Sequence, residues 1–159
     1  MSNFFIYINL SPMVRQWATE AFGNPMRFPD GSRENACILR NTIKRPQDTP
    51  VDCGGNGEIP VHIPDSKHHS PLTYNHMTAQ GKQELVAYIE ALFTINWQNE
   101  LIFLVNDPVD MRASIRAYLS RHGMSLDHED ALLRRFGRWL RRMDDHGLRF
   151  RKTKKKKVK

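Results

Sequence analysis

Four histidines, His62, His68, His69 and His76, fall within fifteen residues, with Asp65 among them. Imidazole nitrogens and a carboxylate are the donor set of zinc sites and of metal-dependent hydrolases. The spacing matches no ligand pattern of defined geometry, and paired His68-His69 in a loop is the common pattern of plain surface residues. The chain carries no His-Glu-x-x-His, no phosphate-cradling loop ending in Gly-Lys-Ser/Thr and no Gly-x-Ser-x-Gly. No catalytic residue, metal ligand or cofactor is assigned, and a metal-dependent nuclease using this histidine cluster is the least favoured reading. Cys53, in the Gly-rich loop Asp52-Cys53-Gly54-Gly55, is expected to be exposed but has no identifiable partner base to activate it.

The chemistry that the sequence supports best is electrostatic. From Arg134 to the end there are 13 Lys/Arg against two acids, Asp144 and Asp145, a net of +11. The whole chain is +7, which leaves residues 1–133 at −4. Positive charge concentrated at one end implies a polyanionic partner. Arg134, Arg138 and Arg141 recur at helical spacing, and Arg135 and Arg142 form an adjacent strip. Arg149, Arg151, Lys152, Lys154, Lys155, Lys156 and Lys157 extend the same sign into a lysine-rich tail expected to be disordered. Guanidinium groups on a helix suit a phosphate backbone, and a lysine tail adds affinity through counterion release. The bland alternative is a solvated basic face, or arginines paired with the acidic body.

These residues need elements to hold them. Residues 126–145 are expected to form a helix capped by Ser125, with Leu132, Leu133, Phe136, Leu140 and Met143 facing in and Trp139 packing on a neighbouring helix. Asp107-Pro108 starts the helix before it, which runs to about His122 with Met111, Ile115 and Leu119 inward, and Gly123 stops it. Two helices about a glycine turn have the outline of a helix-turn-helix. The first residues of the second helix, Asp127, His128, Glu129 and Asp130, are mostly acidic and would be repelled by phosphates. An ordinary helical hairpin is therefore the preferred description of the pair.

Earlier in the chain, residues 4–10 read as a strand and Ser11-Pro12 begins a helix closed by Gly23. Residues 26–28 and 58–63 read as short strands, the latter at an edge because of Pro60. A second helix is expected over 32–44, with Cys37 a small buried hydrophobe, and loops over 46–57 and 65–75. Residues 78–93 and 95–105 read as two further helices, the second apolar nearly all round and buried, with a strand over Ile102-Phe103-Leu104-Val105 as the competing reading.

The fold class expected is α+β and helix-dominated. A small N-terminal sheet with two helices (1–77) precedes a helical portion (78–148) and a disordered basic tail (149–159). Two cysteines give no disulfide framework, and no run approaches a membrane span, so a cytoplasmic location without membrane contact is expected. The stretches Leu10-Ser11-Pro12-Met13-Val14-Arg15-Gln16-Trp17 and Gly23-Asn24-Pro25-Met26-Arg27-Phe28-Pro29-Asp30-Gly31-Ser32-Arg33-Glu34-Asn35 resemble small uncharacterised proteins of bacterial mobile elements and prophages. The resemblance implies an element-encoded protein acting near DNA, and transfers no functional residue. The expected function is non-enzymatic nucleic-acid binding, DNA before RNA, as an accessory or regulatory factor. A protein-interaction module is the alternative, and a homodimer would suit a regulator.

Overall fold

The computed structural model describes residues 4–105 and 110–146. The chain is α+β and helix-dominated. Two compact units divide it at Thr94/Ile95. That division lies beyond the change of texture at Thr78, because it falls inside a helix that begins in the first unit.

In the first unit, strand β1 (Phe5–Ile8) leads into helix α1 (Pro12–Phe22). Proline at the first helical position loses nothing, since that N–H has no helical partner. Gly23, at φ +86°, ends the helix and donates its N–H to Thr19 O. Helix α2 (Arg33–Asn41) starts at Ser32, whose hydroxyl accepts from Asn35 N at 3.2 Å. It ends three residues before the expected Lys44. Thr42, Ile43 and Lys44 form strand β2 instead. Two β-branched residues in succession favour the extended state, and Thr42 Oγ1 bonds back to Ile38 O at 2.9 Å to close the helix end.

Strand β3 (Ile59–His62) pairs antiparallel with β1, Ile6 opposite Val61. The expected strand at 26–28 is a single bridge, Met26 to Val61, on the other side of β3. A residue's N–H and C=O point to the same side of a strand, and Pro60's carbonyl accepts from Met26 N at 2.9 Å. The missing N–H of Pro60 therefore falls where this one-residue ladder begins, and nothing is lost. Strand β4 (Tyr74–Met77) pairs with β2 and falls partly inside the stretch expected as loop. Its polar Tyr-Asn-His gives no alternation to read.

Helix α3 (Ala79–Leu101) runs unbroken where two helices were expected, followed by a 3-10 turn, Ile102–Val105. Thr94, the one β-branched polar residue at the expected break, stays helical by donating its hydroxyl to Glu90 O at 2.9 Å. Thr78 Oγ1 accepts from Gly81 N at 3.1 Å and caps its start. The 95–105 stretch is not buried all round: Ile95, Ile102 and Phe103 are each more than half exposed. The first unit's core gathers Ile6, Ile8, Val14, Trp17, Met26, Ile38, Val61, Leu85, Ile89 and Phe93. Trp17 and Phe93 rings sit 5.4 Å apart. Each such side chain contributes about 1.5–3 kcal/mol on burial.

The second unit consists of the end of α3, helix α4 (Met111–Arg121) and helix α5 (Glu129–Asp145). Asp110 caps α4 by accepting from Ala113 N at 3.0 Å. The expected start at Asp107-Pro108 lies outside the described residues. Ile115 and Leu119 are buried as expected; Tyr118 joins them, and Met111 is only half-buried. Tyr118 donates its hydroxyl to Asn96 Oδ1 at 2.6 Å, and burial raises its pKa. Glu100 accepts from Arg121 at 2.8 Å and lies 2.7 Å from His122 Nε2. Those contacts tie the end of α4 to α3.

Candidate nucleic-acid interface

Three buried residues fix the orientation of α5: Leu132, Phe136 and Trp139. Trp97 of α3 meets two of them edge-on, Trp139 at 5.8 Å and Phe136 at 6.3 Å. Leu133, Leu140 and Met143 are half-buried, so the inward face centres on Leu132 and Phe136, with Trp139 at its border toward the arginines. Aromatic rings in edge contact resist rotation of the helix about its axis. The opposite face is therefore fixed toward solvent.

On that face lie four of the five arginines, with Arg135 at its border. At about 100° per residue, Arg134, Arg135, Arg138, Arg141 and Arg142 fall within an arc of about 120°. Arg134, Arg138, Arg141 and Arg142 are exposed, and Arg135 is half-buried and engaged by its surroundings. Arg134 Nε donates to Asp130 O at 3.3 Å, one turn back. Among the described residues, no ion pair holds Arg138, Arg141 or Arg142. From Arg134 to Arg142 the face spans about 12 Å, and a DNA duplex carries about one charge per 1.7 Å of axis.

The acids at the head of α5 are not bare. Glu129, whose side chain is only 12% exposed, accepts from Arg116 Nε at 2.6 Å and Arg112 Nη1 at 2.7 Å. Asp130 takes Arg112 as well, at 3.2 Å. The Arg116 and then the Arg112 guanidinium hold the Glu129 carboxyl below its usual range. Sequence reasoning missed both arginines. Their four-residue spacing on α4 was the available signal, with two adjacent acids opening the next helix. The two helices are joined through Gly123, at φ +62°, and a 3-10 turn, Leu126–His128. Ser125 caps that turn and not α5 itself. Arg149, Arg151, Lys152, Lys154, Lys155, Lys156 and Lys157 lie outside the described residues.

The histidine cluster is not brought together. His69 Nε2 lies 2.8 Å from Thr42 O and 3.0 Å from Thr42 Oγ1, and its ring stacks on Tyr74 at 4.0 Å. Since Thr42 Oγ1 donates to Ile38 O, both Thr42 atoms accept from His69, which fixes the proton on Nε2 and removes that nitrogen as a metal donor. His62 packs edge-on against Phe5, and His68 is exposed. Among the described residues no three His, Cys, Asp or Glu side chains converge as a metal site requires. Cys37 is buried and Cys53 exposed, each as its surroundings in sequence suggested. No described helix is long and apolar enough to cross a membrane. No protein family, curated protein or solved structure matches this chain.

Proposed function

We propose that the chain binds nucleic acid, duplex DNA before RNA, through the solvent face of α5 and the basic residues after it. The setting that suits it is an accessory or regulatory factor of a mobile element or phage. One observation carries the reading. Five arginines share one arc of a helix whose opposite arc is locked inward, and the neighbouring acids Glu129 and Asp130 are already neutralised by α4. A phosphate backbone then meets guanidinium groups without a nearby uncompensated carboxylate at the helix head. Trp139 supports duplex over single strand: it is 7% exposed and offers no platform for an unpaired base.

The test is affinity for a short duplex measured against salt. About four phosphate contacts give a log–log slope near −3 to −4, and the residues from 149 onward add to it. Deleting 149–159 is expected to reduce the slope by several units while leaving the α5 part. Duplex RNA and single-stranded competitors rank the partner. A flat slope for the full chain refutes the reading.

A further inference from the structure

A groove of about 670 Å³ lies in the first unit, along the edge of β1 that β3 does not cover. The pairing register shows which backbone groups face it. Ile63 N donates to Phe4 O at 3.0 Å, so Phe4 and Ile63 are a hydrogen-bonded pair, as are Ile6 with Val61 and Ile8 with Ile59. The N–H and C=O of Phe5 and Tyr7 point the other way, into the groove. Tyr7 N–H faces the Asp52 carboxylate and helps to lower its pKa, and that carboxylate holds Lys82 at 2.6 Å. β4 approaches β1 at this groove without bonding to it, and no bond among the described residues engages the backbone of Phe5. An unpaired donor and acceptor on a strand edge are a template for a further strand.

The walls specify what kind of strand. Leu72 is 76% and Val51 64% exposed, two of the largest exposures of any apolar side chain in the unit, and both line this groove. Exposed apolar side chains gathered at one concavity mark an interaction site more often than scattered ones do. Lys44 and Arg45 stand at the same groove, and its one lining carboxylate, Asp52, is already occupied by Lys82. The free charge is therefore positive.

We infer that this groove binds an extended acidic peptide: a strand added to the edge of β1 at Phe5, with a bulky apolar side chain against Val51 and Leu72 and a carboxylate beside it on Lys44 and Arg45. The backbone edge selects a peptide over a nucleotide, because an unused N–H and C=O pair in strand geometry matches a peptide backbone. This site is independent of the α5 surface and survives if that reading fails.

The probe is an array of alternating heptapeptides with leucine-aspartate at the centre. Matched arrays carry leucine-lysine, or an N-methyl group on the backbone nitrogens of one edge. The full chain is expected to retain the leucine-aspartate peptides, to lose at least tenfold in affinity with lysine at the acidic position, and to lose binding when the docking edge is N-methylated. The Phe5 amide is expected to shift in a nitrogen–proton spectrum and to gain protection from exchange. The double variant K44E/R45E and, separately, Leu72→Asp should each abolish retention at an unchanged melting midpoint, since all three side chains lie at the surface. Equal retention of aspartate and lysine peptides, indifference to N-methylation, or displacement of the peptide from Phe5 by a single-stranded oligonucleotide would each overturn the proposal.

Discussion

Arg116 Nε lies 2.6 Å from Glu129 Oε2, and the same carboxylate receives Arg112 at 2.7 Å. One acid thus joins two turns of α4 to the first turn of α5. Without it, Arg112 and Arg116 would stand as two like charges at the head of a helix already rich in arginine, with only Asp130 against them.

A pH dependence follows from this clamp. The Arg116 and then the Arg112 guanidinium depress the Glu129 carboxyl below its ordinary 4.5. A depressed carboxylate adds stability above its unfolded value and loses it as pH falls through its lower folded value. Glu129→Gln is therefore expected to be less stable than the parent from neutral pH down to about pH 5. The gap should close on further acidification. Exchange protection of α5 amides in the two proteins, followed against pH, checks this; a gap that persists unchanged into acid would contradict it.

Asp52 sets a second dependence in the first unit. Burial raises its pKa, but the Lys82 hydrogen bond and the N–H groups of Gly54 and Tyr7 outweigh it and leave the carboxyl lowered. Its contribution is likewise present above the unfolded value and lost as pH falls through the folded one. Asp52→Ala should lower the melting midpoint at neutral pH, speed exchange at the Tyr7 amide, and lose its effect in acid. Unchanged Tyr7 exchange would show that the carboxylate does not cover that edge.

Gly81 marks a close approach that no larger residue fits. A Cβ there would stand 2.8 Å from Asn41 Cβ and 3.0 Å from Met77 Cγ. Asn41 cannot retreat easily, because its Nδ2 donates to Cys37 O at 3.0 Å and Glu84 Oε2 at 2.9 Å. Gly81→Ala is expected to cost about 1–3 kcal/mol, the usual range for overpacking. Chemical denaturation measures it, and a neutral result would mean that α2 and α3 can part at this point.

These sites show what the sequence could disclose. Helix α1 was legible at both ends because Pro12 and Gly23 act locally, although the Ser11 side chain makes no capping bond to the helix. The arginine arc was legible because 3.6-residue spacing needs no knowledge of the rest of the fold. The strand pair β2–β4 was not, since Thr42–Lys44 continues a helical pattern and Tyr74–Met77 has no alternation; only their meeting makes them strands. Trp139 had been placed beside the arginines with the leucines as the main inward stripe. It does lie at the border of the two, and its ring contact with Trp97, 42 positions earlier, is what turns it inward. The Arg112–Glu129 and Arg116–Glu129 pairs were hidden for the same reason: each residue was visible, and the partnership was a product of the turn between them.

Removing charge from the arginine arc should separate binding from folding. Arg138, Arg141 and Arg142 are exposed and hold no ion pair among the described residues. Their joint replacement by glutamine is expected to leave the melting midpoint nearly unchanged and to lower the salt slope of duplex binding by about two to three units, roughly one per phosphate contact. An unchanged slope would move the interface off α5.

Gly137 supplies the complementary control on the same helix. Its φ is not positive, and nothing lies within 4 Å of where a Cβ would stand. A glycine inside a helix costs about 0.5–1 kcal/mol relative to alanine. Gly137→Ala is therefore expected to stabilise the helical unit by about that amount in chemical denaturation. It removes no charge, so the salt slope should not move. If stability rises as expected but affinity falls sharply at an unchanged slope, the partner approaches the α5 backbone closely at Gly137, and the arc binds by fit as well as by charge. If both stability and slope hold to expectation, charge alone accounts for the contact.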